Sequence, residues 1–223
     1  MRVVAGKYRS RLLKSLRGLA LRPTSDRLRE TLFDILGPTV EGCLFVDVYA
    51  GTGAVGIEAL SRGARKVIFI ENYPAAVKLI HKNLEALGIV SGAEILATDT
   101  VGGLELLEAR ARSSGTHPQI IYLDPPYAEK QEYDRALDFL DRSALLAPDG
   151  RIIVEHLRRD LRTDASVRQK RRAARGSAGR VVGMPTTIAG RWSLPERLAN
   201  IERVRVVEQG DAALSFYRLA LAA

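Results

Sequence analysis

The feature that most constrains the fold is a regular alternation of short apolar runs and amphipathic segments between residues 43 and 155. The apolar runs predict β-strands at 43–48, 66–70, 94–97, 119–123 and 151–155. Helical periodicity between them predicts α-helices at 54–62, 73–87, 103–112 and 131–146. Apolar strands joined by right-handed helical crossovers form a doubly wound parallel sheet. The sequence therefore predicts an α/β fold with a Rossmann-like sheet.

Two flanking segments extend this unit. Residues 1–21 predict a short hairpin with Lys7, Arg9 and Arg11 on one side, and a helix follows up to Leu36. We interpret residues 1–40 as an N-terminal hairpin and helix extension, and 41–223 as the main domain. Two further strands, at 203–207 and 214–219, predict an antiparallel hairpin at the C-terminal end of a mainly parallel sheet.

The positive charge is concentrated in one stretch. The chain has 34 Lys and Arg against 26 Asp and Glu, a net charge of +8. Residues 160–193 contribute eight basic and two acidic side chains, in a context rich in Ala, Gly and Ser. This pattern predicts a basic low-complexity insert, which is either a solvated loop or a contact for a polyanion such as nucleic acid.

Several classes of protein fit the composition poorly. No apolar run approaches the roughly 18–20 residues that a membrane-spanning helix needs. The single cysteine, Cys43, is typical of a reducing compartment, and three scattered histidines do not predict a metal site. The N-terminal residues also lack the apolar core of a signal peptide. We therefore expect a cytoplasmic protein without a membrane or metal partner.

A glycine-rich turn follows the first predicted strand. Gly51, Gly53 and Gly56 lie between this strand and the next helix, where open sheets bind nucleotide-like ligands. Glycines let the backbone approach a ligand because no Cβ is present. Asp47 precedes the turn within the strand, and its carboxylate suits a cationic amine and disfavours a pyrophosphate. A nicotinamide dehydrogenase is therefore a poor fit.

Acidic residues follow the next two strands. Glu71 ends the second strand, where a carboxylate can accept hydrogen bonds from both hydroxyls of a ribose. Asp99 follows the third strand and could accept a hydrogen bond from an adenine amine. The spacing thus predicts a nucleoside site at this edge of the sheet.

The motif Asp124-Pro125-Pro126-Tyr127 follows the fourth predicted strand. Two consecutive prolines fix the backbone and remove two N–H donors, so carbonyl oxygens are presented as acceptors. Asp124 and a proline carbonyl could both accept hydrogen bonds from one planar exocyclic amine. Tyr127 offers a ring on which an unstacked base can lie. This motif predicts chemistry on the amino group of a nucleobase.

Together these motifs resemble the class I S-adenosylmethionine-dependent methyltransferases that act on amino groups. Three further segments, at 2–6, 21–33 and 209–218, resemble the bacterial RsmD family, which methylates guanine N2 in 16S ribosomal RNA. The resemblance covers residues 1–159 and 194–223. It does not include the basic insert at 160–193, because the family usually has a short link there.

The resemblance implies specific roles for individual residues. The main domain would be the methyltransferase domain, and the catalytic residues would be Asp124, Pro125, Pro126 and Tyr127. The S-adenosyl-L-methionine contacts would be Asp47, Gly51, Thr52, Gly53, Glu71, Asn72, Asp99 and Thr100. Arg27 and Glu30 would line the entrance to the cofactor pocket. No metal is implied.

The expected partner is 16S ribosomal RNA, within the small ribosomal subunit or an assembly intermediate, and we expect a monomer. RNA contacts are predicted from the N-terminal hairpin, from Arg27 and Arg29, and from the insert. Two alternatives remain open at this point. One is an adenine-N6 methyltransferase acting on DNA or RNA, since both bases present a planar amine. The other is a non-catalytic RNA-binding or assembly factor on the same scaffold.

Overall fold

A computed structural model describes residues 1–15, 25–158 and 193–220 of the chain. The strands are β1 (Leu44–Val48), β2 (Lys66–Ile70), β3 (Ala93–Leu96), β4 (Ile120–Leu123), β5 (Arg151–Leu157), β6 (Ile201–Gln209) and β7 (Ala212–Leu219). The α-helices are α1 (Asp26–Leu36), α2 (Ala54–Ser61), α3 (Pro74–Ala86), α4 (Thr100–Ser114) and α5 (Lys130–Arg142). A 3₁₀ turn, Gly37–Val40, follows α1.

The seven strands form one sheet in the order β3-β2-β1-β4-β5-β7-β6. Neighbours among the first five are parallel, and β7 is antiparallel to both β5 and β6. The predicted fold, a mainly parallel Rossmann-like sheet with an antiparallel C-terminal hairpin, is confirmed. The strand order reverses between β1 and β4, so their carboxyl ends open a crevice in which ligands of such sheets bind.

Alternate side chains of the central strands enter two separate cores. Phe45 and Phe69 pack on one face with α1, α2, α3 and the N-terminal segment. Val46 and Ile68 pack on the opposite face with α4 and α5. All five residues of β1 are buried because the strand lies between two neighbours and is covered on both faces. This double covering explains why the predicted strands are apolar throughout.

Two helix boundaries in the main domain differ from the prediction by three residues or more. Helix α4 begins at Thr100 rather than residue 103, because the Asp99 side chain caps it by accepting from the Gly102 N–H at 2.9 Å. Helix α5 ends at Arg142 rather than residue 146, since Ser143 is extended. The apolar residues Leu145 and Leu146 extended the helical pattern, but they fill the core from a loop.

The predicted N-terminal hairpin is present as one bridge, between Arg2 and Leu12. It packs on α2, where the buried carboxylate of Glu58 accepts from the Val4 N–H at 2.8 Å and the Ala5 N–H at 2.9 Å. The Ser61 carbonyl accepts from the Lys7 N–H at 2.7 Å. A buried polar residue of α2, which the sequence analysis did not single out, therefore holds this segment in place.

Asn83 of α3 joins the same segment to the glycine turn. Its buried side chain accepts from the Lys14 N–H at 2.8 Å and donates to the Thr52 carbonyl at 2.9 Å. The N-terminal segment thus lies directly behind the turn that follows β1.

The basic insert predicted at 160–193 lies outside the described residues, except for Ser193. Within the ranges that the structure describes, the longest helices are too short or too polar to cross a membrane.

Candidate active site

The glycine turn between β1 and α2 has a backbone conformation that favours glycine at two positions. Gly51 and Gly53 have φ angles of +54° and +75°, in the left-handed region that favours glycine. A Cβ on Gly53 would lie 3.2 Å from the Ile80 side chain, whereas one on Gly51 would meet almost open space. Gly56 has a different role, because its Cβ would lie 2.3 Å from the Phe69 ring. It permits close packing of α2 on the sheet.

Asp47 lies beneath this turn. One carboxylate oxygen accepts from the Gly56 N–H at 2.8 Å, and only 2% of the residue is exposed. Burial and, to a smaller extent, the negative charge of Glu71 raise the pKa of Asp47 to about 8, although the hydrogen bond from Gly56 lowers it. The carboxyl group thus fixes the start of α2 from below, and its predicted direct contact with a ligand amine stays a prediction.

Glu71 links the end of β2 to the glycine turn. One carboxylate oxygen accepts from the Gly51 N–H and the other from the Tyr73 N–H, each at 2.8 Å. The side chain is half-buried and faces a cleft of roughly 390 Å³. This volume lies within the range of small-molecule sites.

The cleft brings together several of the predicted residues. Its lining includes Glu71, Asn72, Asp99, Thr100 and Pro126. The glycine turn borders it through the bond between Gly51 and Glu71. Arg27 and Glu30, which we expected at its entrance, are exposed on α1, and the lining of the cleft comes from other elements.

Seven residues of the cleft were not assigned to it from the sequence, namely Tyr49, Ile70, Thr98, Val101, Glu129, Glu132 and Arg135. The Tyr49 hydroxyl donates to the Glu132 carboxylate at 3.1 Å, so it spans from the turn to α5. Tyr49 has a φ of +62°, rare for a residue with a side chain. Glu132 and Arg135 are three residues apart on α5, and this spacing was the available signal, but it is equally typical of a solvated helix.

The motif at 124–127 lies between this cleft and β5. Asp124 is half-buried, and its N–H donates to the Val48 carbonyl at 3.3 Å. The Pro125 carbonyl accepts from the Tyr133 hydroxyl at 3.2 Å, and the Pro126 carbonyl accepts from the Glu129 N–H at 2.8 Å. A carbonyl oxygen has two lone pairs, so each retains acceptor capacity for a ligand.

Tyr127 is anchored at its hydroxyl, which donates to a carboxylate oxygen of Glu155 at 2.5 Å. The Tyr122 hydroxyl donates to the other oxygen of Glu155. Burial and the negative charges of Glu155 and Asp124 hold the pKa of Tyr127 well above its ordinary value, so the hydroxyl stays protonated. The sequence analysis gave Glu155 no role, and its partners come from β4 and the following loop.

One predicted RNA contact is wrong. Arg29 is fully buried on α1, where its guanidinium donates to the Arg2 carbonyl and to Asp26. The side chain fixes the N-terminal segment and has no surface for a phosphate. By contrast Lys7, Arg9 and Arg11 are exposed, as is Arg27.

A second cleft of similar volume lies at the opposite, amino-terminal edge of the sheet. Its apolar floor includes Leu44, and basic residues Lys66 and Arg110 lie at its rim. The residues that the sequence predicts to be catalytic are at the carboxyl edge instead, beside the cleft that Glu71 and Pro126 line.

The chain matches the family model described as "Conserved hypothetical protein 95" over residues 1–182. It is 35% identical over 156 residues to the ribosomal RNA small subunit methyltransferase D of Haemophilus influenzae, which covers 70% of this chain and 78% of the relative. The protein of the same name from Escherichia coli K12 is 33% identical over 159 residues, 70% of this chain and 74% of the relative. The chain belongs to the RsmD family.

Solved structures share the fold of this chain. The Escherichia coli protein described as "Putative methyltransferase yhhF" superposes with a TM-score of 0.67 at 25% identity, over 97% of this chain and 96% of that one. A ribosomal protein L11 methylase from Lactobacillus delbrueckii shares the fold at 13% identity, with a TM-score of 0.55 over 95% of this chain and 87% of that one. The predicted family and fold are confirmed.

Proposed function

We propose that this protein transfers a methyl group from S-adenosyl-L-methionine to the exocyclic N2 amine of a guanine in 16S ribosomal RNA. The main support for this proposal is the position of Asp124-Pro125-Pro126-Tyr127 at the carboxyl edge of the sheet. Pro126 of this motif lines the same cleft as Glu71. Family membership supports the same reaction, because the two relatives described above are named for the methylation of ribosomal RNA.

The residues around the cleft fit the cofactor. Glu71 has a half-buried carboxylate that can accept from ribose hydroxyls, and Asp99 is exposed at the start of α4 near the expected adenine. Gly51 leaves room beside the backbone for the methionine part, and Thr52 and Gly53 follow it in the same turn. Asn72 and Thr100 complete the lining. Asp47 supports this site from below through Gly56.

The cofactor supplies a methyl group that is already activated by its sulfonium, so the protein acts mainly by positioning. Guanine N2 is a weak nucleophile because its lone pair is delocalised into the ring. Asp124 and a proline carbonyl accept hydrogen bonds from the amine, which returns electron density to the nitrogen and aims it at the methyl group. Asp124 can then hold the proton that the methylated amine loses. Tyr127 stacks on the extruded base.

The RNA would be held by the exposed basic residues of the N-terminal segment and α1, which are Lys7, Arg9, Arg11 and Arg27. Phosphate contacts of this kind position the substrate without reading its sequence. Base identity would therefore depend on the groups around Asp124. We expect the substrate to be a small ribosomal subunit or an assembly intermediate, and the protein to act as a cytoplasmic monomer.

Two substitutions test this division of roles. Asp124→Ala should abolish methyl transfer and leave cofactor affinity within a few fold, because Asp124 contacts the base. Glu71→Ala should instead weaken cofactor binding by about 10-fold or more, the worth of a hydrogen bond to a charged group. Calorimetric titration with S-adenosylmethionine and transfer of a tritiated methyl group measure the two effects. Loss of cofactor binding in Asp124→Ala would contradict the assignment.

A further inference from the structure

The Glu155 carboxylate joins two tyrosine hydroxyls that come from different elements. Tyr122 lies within β4 and is buried, whereas Tyr127 lies in the loop after β4 and is partly exposed. Both hydroxyls donate to Glu155, one to each oxygen. Glu155 is only 2% exposed and is held in β5, which pairs with β4 and with β7. The carboxylate is thus fixed by the sheet and by Tyr122.

This arrangement restricts the Tyr127 ring at both ends. The Cβ atom attaches one end to a backbone stiffened by Pro125 and Pro126, and the hydroxyl attaches the other end to Glu155. An unanchored aromatic side chain in a loop would lose rotamer freedom when a base stacks on it. Because the anchor removes that freedom beforehand, the ring is already oriented when the substrate arrives.

We propose that Glu155 is a positioning residue for base recognition, acting through the Tyr127 hydroxyl to fix the ring plane on which the target base stacks. The inference rests on the proposed function, because it assigns Tyr127 to the base. It adds a buried residue on β5 to the site and gives the Tyr127 hydroxyl a role separate from that of the ring. Tyr122 secures the second oxygen of the same carboxylate.

Glu155→Gln and Tyr127→Phe test this coupling. Gln replaces one carboxylate oxygen by an NH2 group that donates, so it cannot accept from both hydroxyls in their present positions. Tyr127→Phe keeps the ring and removes its anchor. Each variant should lower kcat/KM for the RNA by about 10- to 100-fold, the worth of a hydrogen bond to a carboxylate. Cofactor affinity should be unchanged in both. The double variant should be no worse than the poorer single variant, because both changes break the same bond.

Asp141→Asn serves as the matched control. Asp141 is another buried carboxylate, and it accepts from the Asn200 N–H at 2.6 Å near the far end of α5. It should lower the melting temperature without changing kcat/KM for the RNA. Multiplying effects of Glu155→Gln and Tyr127→Phe in the double variant would overturn the proposal. If Glu155→Gln does not fold, an unchanged kcat/KM in Tyr127→Phe would overturn it equally.

A readout independent of activity separates this inference from the proposed function. In protein labelled with ¹³C at the tyrosine ring, the Tyr127 signals should shift or broaden in Glu155→Gln and stay unchanged in Asp141→Asn. Unchanged Tyr127 signals in Glu155→Gln would refute the anchoring. Intact anchoring with no methyl transfer by the unaltered protein would instead refute the proposed function.

Discussion

Replacing Gly6 by alanine tests how the N-terminal segment is attached. Gly6 has a φ of +78°, and a Cβ there would lie 1.9 Å from the carbonyl oxygen of Ser61. This contact is with backbone on α2, so a rotamer change cannot relieve it. Gly42 is a matched control, because its φ is +73° and nothing lies within 4 Å of its Cβ position. Both substitutions strain the backbone, but only Gly6→Ala adds a collision.

The structure sets the size of the difference. A left-handed alanine costs about 1–2 kcal/mol, and Gly42→Ala should lose only this amount. Gly6→Ala should also displace the segment, which breaks the bonds from Val4 and Ala5 to Glu58 and from Lys7 to Ser61. A bond to a buried carboxylate contributes about 1.5–3 kcal/mol and a neutral one about 1 kcal/mol. Allowing for partial recovery by water, we expect Gly6→Ala to lose about 3–5 kcal/mol in total.

Thermal unfolding followed by circular dichroism measures both variants. For a chain of this size, 1 kcal/mol corresponds to about 2–4 °C. The melting temperature should therefore fall by roughly 6–20 °C in Gly6→Ala and by roughly 2–8 °C in Gly42→Ala. Trypsin should also cleave Gly6→Ala faster at Lys7 and Arg9. Equal losses in the two variants would refute the docked position of the segment.

Two further predictions concern charge. Because the pKa of Asp47 is raised to about 8, the folded state retains a proton that the unfolded state releases near pH 4. The stability that the protonated Asp47 contributes is therefore complete below about pH 4 and is lost as the pH rises towards 8. In the unaltered protein this group should lower the free energy of unfolding by up to about 1.4 kcal/mol per pH unit between about pH 5 and 7. Asp47→Asn keeps an acceptor for Gly56 but does not titrate, so urea unfolding should show a correspondingly shallower decline in this variant. An identical slope in both proteins would contradict this. Deleting residues 160–193 should make RNA affinity less dependent on salt concentration if the insert contacts phosphates, and an unchanged salt dependence would show that it does not.

Most of the fold could be predicted from the sequence because its signals are local. A strand covered on both faces must be apolar throughout, and glycines with left-handed φ mark the turn after β1. The residues that follow the strands could be assigned to one site because the carboxyl ends of parallel strands lie at a common edge. The predicted boundaries of α4 and α5 were less accurate. Asp99 caps α4 and so begins it earlier than the pattern indicates, and Leu145 continues the apolar pattern of α5 although it packs in the core from the following loop.

The supporting residues could not be predicted in the same way. Glu58, Asn83 and Glu155 each bond to residues far along the chain, and nothing in their local sequence identifies those partners. Arg29 shows the converse error. It resembles a surface arginine beside Arg27, yet the helix turns it inward to the Arg2 carbonyl. Composition indicates charge, whereas only tertiary structure shows which charges are buried.

The most direct test of the central claim is the identity of the methylated nucleoside. Tritiated S-adenosylmethionine would be supplied with the protein and small ribosomal subunits that lack native methylation, and the RNA would then be digested to nucleosides. The account predicts label in N2-methylguanosine, absent with the Asp124→Ala variant. Label in N6-methyladenosine would contradict the proposed base, and no label despite measured cofactor binding would contradict the proposed substrate.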